Sequence, residues 1–253
     1  MPRFKVGIQL QPQATSVAAL LDAAVAAEEA GLDSVWTWDH FFPLYGDPEA
    51  PHFEGYTLLA AMAARTQRVQ LGALVTCNSY RNPNLLADMS RTIDHISGGR
   101  FVLGIGSGWF ERDYTEYGYE FGTARGRLAN LERDLPIIVD RLGRLTPPPV
   151  GDLPILVGGS GRKVTLRLVA EHAHMWNSFG PPENYAELNG VLDDWCARIG
   201  RDPGEIERTV AIDASEASNW EAYLDAGAQH LIIMSGDPFA IDVATKLRSH
   251  ARD

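Results

Sequence analysis

Short apolar runs alternate with longer amphipathic stretches along most of the 253 residues. The short runs are rich in β-branched and aromatic residues, which predicts buried strands. The longer stretches carry apolar residues three or four positions apart, which predicts helices with one buried face. The predicted strands are Phe4–Leu10, the start of Ser34–Phe42, Val69–Thr76, Phe101–Ile105, Ile155–Val157, His174–Phe179, Thr209–Ile212 and His230–Met234. The predicted helices are Ser16–Ala30, Glu54–Thr66, Pro83–Ile96, Arg125–Leu145, Arg162–Ala173, Glu183–Ile199, Glu216–Ala226 and a closing helix.

Proline positions add detail to two of these helices. Pro136 lies inside Arg125–Leu145 and is expected to kink or split that helix. Asp237, followed by Pro238, is expected to cap the closing helix.

Strictly alternating strands and helices favour parallel pairing of the strands. Eight such units in a chain of this length fit a closed (β/α)8 TIM barrel better than an open doubly wound sheet. The most loop-like stretch, TPPPVGD over residues 146–152, is too short to separate two domains. The sequence therefore predicts an α/β fold with a single barrel domain over residues 1–253.

The net charge and the cysteine content limit the kinds of molecule that the protein is expected to bind. The formal net charge of −11 argues against a general affinity for nucleic acid or for an anionic membrane, because both need a basic face. Two cysteines do not make a disulfide framework, and neither a signal peptide nor a membrane span is evident. These features predict a cytoplasmic protein whose partner is a small molecule.

The stretch SVWTWDHFF over Ser34–Phe42 is the first candidate for chemistry. It opens as a strand and then stops in the titratable pair Asp39 and His40. Barrel enzymes place reactive groups at such carboxyl ends of strands, where the loops vary and the strands fix position. The same pattern is compatible with a turn cap at Asp39 and a solvated His40.

Two glycine-rich turns also follow predicted strands. Gly104–Gly108 does not complete a dinucleotide fingerprint, because the position that needs a third glycine is Trp109. Ser107 offers a hydroxyl within that turn. Gly158–Gly161 precedes a helix and offers amide donors to a phosphate, with Arg162 directly after it. Tight packing between strand and helix would also explain either turn.

Other kinds of site find little support. His172 and His174 are too close to share one helix face at the spacing of metal ligands, so no metal is expected. No G-x-S-x-G elbow is present, and Cys77 has no histidine nearby in the sequence. Tryptophans near strand ends are typical of barrel packing and would also suit a planar heteroaromatic ring.

Several of these stretches together resemble the bacterial luciferase-like monooxygenase superfamily, in the branch that uses the deazaflavin coenzyme F420. The similar stretches are WTWDHF (36–41), LGALVTCNSYRNP (71–83), ISGGRFVLGIGSGWFERDYTEYG (96–118), PILVGGSGRKVTLRLVAEHAHMWN (154–177) and GRDPGEIERT (200–209). The resemblance spans nearly the whole chain. It implies a luciferase-like (β/α)8 barrel with the coenzyme at the carboxyl face.

The resemblance also implies roles for individual residues. Asp39 and His40 correspond to the acid and the histidine near the reactive carbon of the deazaflavin. Ala73 and Leu74 fall where the family has a bulge with a non-proline cis peptide behind the ring. The remaining implied coenzyme contacts are Thr76 beside the bulge, Ser107, Gly108 and Trp109 at the ring or its side chain, and Gly158, Gly159, Ser160, Gly161 and Arg162 at the phosphate end.

Two departures from the family pattern concern the substrate. Members that oxidise sugar phosphates have a glutamate where this chain has Trp109. The family also carries a substantial insertion before its fifth strand, where this chain has only the shortened segment 146–152. The substrate class of a relative therefore cannot be transferred to this chain.

The resemblance predicts an oxidoreductase that moves a hydride between the deazaflavin and an unidentified small organic substrate. His40 would exchange a proton with that substrate, and Asp39 would orient its imidazole or raise its pKa. An FMN-dependent monooxygenase of the same fold is the first alternative. A cofactor-binding barrel without turnover is an alternative from another class, and a homodimer is left open.

Overall fold

The structure is a computed structural model that describes residues 3–251, and the predicted alternation of strands and helices is present. The strands within that range are β1 (Lys5–Leu10), β2 (Ser34–Thr37), β3 (Gln70–Ala73), β4 (Thr76–Cys77), β5 (Phe101–Gly106), β6 (Ile155–Gly158), β7 (Met175–Phe179), β8 (Glu207–Asp213) and β9 (His230–Ser235). The α-helices are α1 (Val17–Glu29), α2 (Gly55–Arg65), α3 (Pro83–Ser97), α4 (Glu111–Tyr117), α5 (Ala124–Leu142), α6 (Thr165–His172), α7 (Pro182–Ile199), α8 (Trp220–Asp225) and α9 (Ile241–His250).

Parallel pairing closes these strands into a barrel. β1 lies between β2 and β9, and neighbouring pairs continue through β8, β7, β6 and β5. β3 pairs with both β2 and β5, while β4 continues along β5. β3 and β4 therefore share one strand position of an eight-position barrel, which confirms the predicted (β/α)8 fold.

The strand predicted over Val69–Thr76 is interrupted in the structure. Leu74 and Val75 leave the ladder between β3 and β4, and the peptide bond that joins them is cis. The resemblance to the family implied a cis peptide at Ala73-Leu74, so that expectation was wrong by one peptide bond.

Alternate residues of the strands fill two separate cores. One set points outward into the layer between strands and helices, where Val35, Leu103 and Ile233 are fully buried. The inward set packs inside the barrel. It consists of Trp36, Leu74, Val102, Leu156, Met175, Ala211 and Ile232, with partly exposed Val75 and Met234 packed against it.

Three of the differences from the predicted helices concern the two prolines or a helix that was not predicted. α5 is continuous, and Pro136 is tolerated because it lies on the exposed face, where the carbonyl that loses its bond can meet water. α9 begins at Ile241 after Ala240, so Asp237 is too far ahead to cap it and instead accepts a hydrogen bond from Thr15. The third difference is α4, a helix that the periodicity did not predict.

The described helices include none that is long and apolar enough to cross a bilayer. Cys77 and Cys196 are both buried free thiols.

A buried polar chain joins four strands at the amino-terminal end of the barrel. His230 is fully buried, and its two ring nitrogens contact Ser34 Oγ and Glu207 Oε1, each at 2.9 Å. Glu207 Oε2 accepts a 2.8 Å hydrogen bond from Lys5 Nζ, and Trp36 Nε1 donates to Ser34 Oγ. Ser34 is fully buried at this end, opposite to the ends that carry the candidate residues, so the chain of contacts stabilises the barrel.

The stability of this end is expected to depend on pH. Burial opposes the charge of Glu207, but the hydrogen bonds and charges of His230 and Lys5 lower its pKa to about 2. A lowered carboxyl pKa contributes stability above the unfolded value, and that contribution is lost as the pH falls toward the folded value. We expect Glu207→Gln to cost about 2 kcal/mol at pH 7, a difference that shrinks between about pH 5 and pH 2.

Urea unfolding of both proteins at several pH values measures this difference. Lys5→Met serves as a milder control, because its side chain is partly exposed and Glu207 would keep its contact with His230. A gap between wild type and Glu207→Gln that stays constant down to pH 3 would contradict the assignment.

Candidate functional site

The predicted site residues lie after the carboxyl ends of neighbouring strands. Asp39 and His40 follow β2, and Thr76 begins β4 just beyond Ala73 and Leu74. Ser107, Gly108 and Trp109 follow β5, and the turn from Gly158 to Gly161 follows β6. One face of the barrel therefore carries all of them.

His40 is held by a carboxylate that the sequence analysis missed. Its Nδ1 lies 2.6 Å from Asp113 Oδ2, and its side chain is 12% exposed. Asp113 lies on α4 with no exposed side-chain surface, and it also accepts hydrogen bonds from the Phe41 amide and the Tyr80 hydroxyl. The prediction that Asp39 orients His40 was wrong, because the structure gives that contact to Asp113.

The sequence does not single out Asp113, because a carboxylate at this position has an ordinary explanation. It lies with Glu111 in the first turn of α4, where carboxylates are favoured by the helix dipole in any protein. The signal available in the sequence was that Asp113 lies within the stretch 96–118, one of those by which the chain resembles the family. In the structure Tyr114, directly after it, is fully buried, so this short helix packs closely onto the barrel.

Asp39 instead belongs to a buried ion pair. Both of its oxygens accept hydrogen bonds from Arg81, at 2.6 and 2.8 Å, and Oδ2 also accepts from the Cys77 amide. Arg81 reaches Glu54 at 2.7 Å as well. Burial works against the charge of Arg81, but Asp39 and Glu54 keep its pKa above the ordinary value. These contacts fasten the segment before His40 to the segment after the bulge, and a catalytic role for Asp39 stays a prediction.

Aromatic rings surround the imidazole of His40. Trp38, Trp109 and Phe110 meet it edge-on, with centroid separations of 5.9, 5.7 and 5.6 Å. Trp109 is 62% exposed, which is unusual for so large an apolar side chain and suits contact with a ligand. This surround excludes water from most of the ring.

A second histidine lies behind Trp38. His52 Nε2 accepts a 2.9 Å hydrogen bond from Trp38 Nε1, and the two rings stack. Burial and the nearby charge of His40 lower the pKa of His52 to about 4. At neutral pH His52 is therefore an uncharged acceptor that fixes the indole of Trp38.

The bulge forms an apolar ledge at the mouth of the barrel. Gln9 Nε2 donates a 2.7 Å hydrogen bond to the Leu74 carbonyl, and Tyr56 and Thr76 hydroxyls meet at 2.8 Å below it. A Cβ atom at either Gly106 or Gly158 would lie 2.8 Å from a methyl of Val75. The two glycines thus make room for Val75 over the ends of β5 and β6.

The two glycine turns differ in whether their backbone amides are available to a ligand. Gly108 has a φ of +80°, and a Cβ there would press on Cys77 Sγ and the Tyr114 hydroxyl, so packing alone requires this glycine. In the other turn, Ser160, Gly161 and Arg162 are exposed, and within residues 3–251 their backbone amides have no acceptor. These amides are available to an anion.

Arg162, directly after that turn, is already engaged. Its guanidinium lies 2.6 Å from Glu187, and both side chains are more than half exposed. An exposed pair of this kind is weak and can be exchanged for a ligand. Among residues 3–251, no three His, Cys, Asp or Glu side chains gather as a metal site.

A groove of about 730 Å³ lies beside this face. It is lined by Asn78–Pro83 and by residues between Tyr119 and Asp134. Tyr80 and Arg81 in its wall are the residues that bind Asp113 and Asp39, so the groove borders the outer side of both acids.

Comparison with known proteins gives a family match and related enzymes. A family model described as luciferase-like monooxygenase matches residues 3–133. An F420-dependent glucose-6-phosphate dehydrogenase of Kineococcus radiotolerans is 32% identical over 232 residues, which cover 84% of this chain and 68% of that protein. A protein of the same description from Amycolatopsis mediterranei is 36% identical over 137 residues, which cover 53% of this chain and 40% of that protein. The chain thus spans between about two fifths and two thirds of these relatives' lengths.

A solved structure supports the fold. An F420-dependent secondary alcohol dehydrogenase, in complex with an F420-acetone adduct, superposes with a TM-score of 0.88. The match covers 99% of this chain and 100% of that one at 18% identity. At this identity the likeness concerns the barrel architecture.

Proposed function

The chain belongs to the luciferase-like monooxygenase family, and on that premise we propose that it is an oxidoreductase that uses coenzyme F420. The relatives described above are named as F420-dependent dehydrogenases, which supports this choice of coenzyme. The observation that carries the proposal is the pair of His40 and Asp113 at the carboxyl face, in an aromatic surround next to an exposed Trp109.

The residues of the face fit a planar ring with an anionic tail. Leu74, Val75 and Met234 offer an apolar surface at the top of the barrel interior, and glycines on β5 and β6 make room for the Val75 side chain within it. The exposed amides of Ser160 and Gly161 would bind the phosphate end, with Arg162 or the neighbouring Lys163 adding positive charge. The bound deazaflavin would supply or accept the hydride.

The proton would pass through His40. Nδ1 is committed to Asp113, and Nε2 on the opposite edge of the ring has no hydrogen-bond partner among residues 3–251. In the oxidative direction Nε2 would take up the proton that the substrate loses, and in the reductive direction it would return a proton to the substrate. The aromatic surround limits access of water to the imidazole as a whole, whose side chain is 12% exposed.

The proposal predicts a preference between coenzymes. The deazaflavin coenzyme F420 should bind at least about tenfold more tightly than FMN, a difference of about 1.4 kcal/mol. Fluorescence titration of the protein with each coenzyme measures this without knowledge of the substrate. Equal or tighter binding of FMN would favour a flavin-dependent monooxygenase of the same family.

The remaining alternative is a barrel that binds the coenzyme without turnover. Tight binding of coenzyme F420 with no change in its absorbance across a broad panel of alcohols, ketones and unsaturated carbonyl compounds would favour that reading. A homodimer stays a prediction, which sedimentation of the purified protein tests.

A further inference from the structure

Asp113 has an unusual set of contacts for a carboxylate without surface exposure. Oδ2 accepts from the Tyr80 hydroxyl at 2.8 Å and lies 2.6 Å from His40 Nδ1, while Oδ1 accepts from the Phe41 amide at 3.0 Å. Among residues 3–251, no arginine or lysine forms an ion pair with it. The one partner able to carry a compensating positive charge is therefore His40.

We propose that Asp113 is a positioning residue, which holds His40 in the tautomer with its proton on Nδ1 and its lone pair on Nε2. Both oxygens of Asp113 already accept hydrogen bonds, from the Tyr80 hydroxyl and the Phe41 amide, so the carboxylate acts as an acceptor and the 2.6 Å contact is assigned to a hydrogen bond that Nδ1 donates. Nε2 is then the basic atom and points away from the carboxylate. When Nε2 takes up a proton, the resulting imidazolium faces a fixed negative charge.

The other groups around His40 do not compete for this role. Trp38, Trp109 and Phe110 carry no charge, and His52 is neutral at pH 7 because its pKa is lowered to about 4, mainly by burial. Arg112, next to Asp113 in the chain, is turned to Glu49 and to the Pro48 carbonyl.

Tyr80 offers a matched control on the same carboxylate. Burial and the negative charge of Asp113 keep the pKa of the Tyr80 hydroxyl above its ordinary value, so the hydroxyl donates at all working pH values. Tyr80→Phe removes one hydrogen bond from Asp113 Oδ2 and leaves the contact with His40 intact. If Asp113 only stabilised the local structure, losing its contact with Tyr80 and losing its contact with His40 would have similar effects on turnover.

Nitrogen-15 NMR of histidine-labelled protein tests the tautomer directly. The spectra are recorded at about pH 8 without coenzyme or substrate, and the His40 signals are assigned by their loss in His40→Phe. We expect wild type and Tyr80→Phe to show His40 mainly with the proton on Nδ1. We expect Asp113→Asn to show mainly the Nε2 tautomer, which free imidazole side chains prefer. A wild-type protein with the proton mainly on Nε2 would overturn the proposal, even if Asp113→Asn fails to fold.

Kinetics supply the second readout, and this part rests on the proposed function. Asp113→Asn should lower kcat by about 10–100-fold with little change in KM, and Tyr80→Phe should lower it by less than about fivefold. Equal losses in both variants would mean that Asp113 is merely structural. If no coenzyme supports turnover, the proposed function fails while the NMR result still decides the role of Asp113.

Discussion

Replacing His40 with phenylalanine is expected to lower turnover by about 10²–10⁴-fold, the usual contribution of a general acid or base. Phenylalanine keeps the edge-on contacts with Trp38 and Trp109 but has no Nε2 to exchange a proton. Stability should fall only modestly, because Asp113 retains its hydrogen bonds from Tyr80 and from the Phe41 amide. Affinity for the coenzyme should change little.

Stopped-flow measurement of hydride transfer to or from the bound coenzyme, alongside thermal unfolding, checks this result. His52→Gln is the matched control, because glutamine still offers an acceptor to Trp38 Nε1 but cannot titrate. We expect its turnover to stay within about threefold of wild type, since His52 is uncharged at neutral pH. If His40→Phe turned over normally, the proposed proton transfer through His40 would be refuted, whichever coenzyme the protein uses.

The barrel could be predicted from sequence because its signal is local. Each strand is a short apolar run next to an amphipathic helix. Eight such strand–helix units with parallel strands are compatible with few chain topologies. The interruption at Leu74 and Val75 was not predictable from periodicity, since both residues are as apolar as the strand around them. Their departure from the ladder depends on Gln9, Gly106 and Gly158, which reach the bulge only in the folded barrel.

In the site, too, features set by neighbouring residues could be predicted, whereas contacts between residues distant in the sequence could not. His40 was found because it ends a strand, and that position is visible in the chain itself. Its partner Asp113 is 73 residues away on a short helix whose apolar pattern is too brief to detect. The sequence analysis expected Asp39 to contact its neighbour His40, whereas in the structure Asp39 pairs with Arg81, 42 residues away. Glycine turns are equally ambiguous, because Gly108 is required by packing against Tyr114 and Cys77.

Replacing Arg81 with methionine is expected to destabilise the protein by about 3–5 kcal/mol. Asp39 has no exposed side-chain surface, and Arg81 supplies two of the three hydrogen bonds that it accepts within residues 3–251. Methionine fills a similar volume but leaves a buried carboxylate with only the Cys77 amide. The cost comes from that unpaired charge, and chemical unfolding at pH 7 measures it.

Arg162→Met separates the effect of burial from that of contact distance. Arg162 pairs with Glu187 at 2.6 Å, the same distance as the shorter Arg81–Asp39 contact, but the side chains of Arg162 and Glu187 are both more than half exposed. Water screens that pair, so its loss should cost less than about 1 kcal/mol.

The double variant Asp39→Asn/Arg81→Met should recover most of the stability lost by Arg81→Met, because asparagine removes the charge and still accepts from the Cys77 amide. If the double variant is as unstable as Arg81→Met, then Arg81 stabilises the barrel through Glu54 and its packing on Tyr56, and the charge of Asp39 is not the cause.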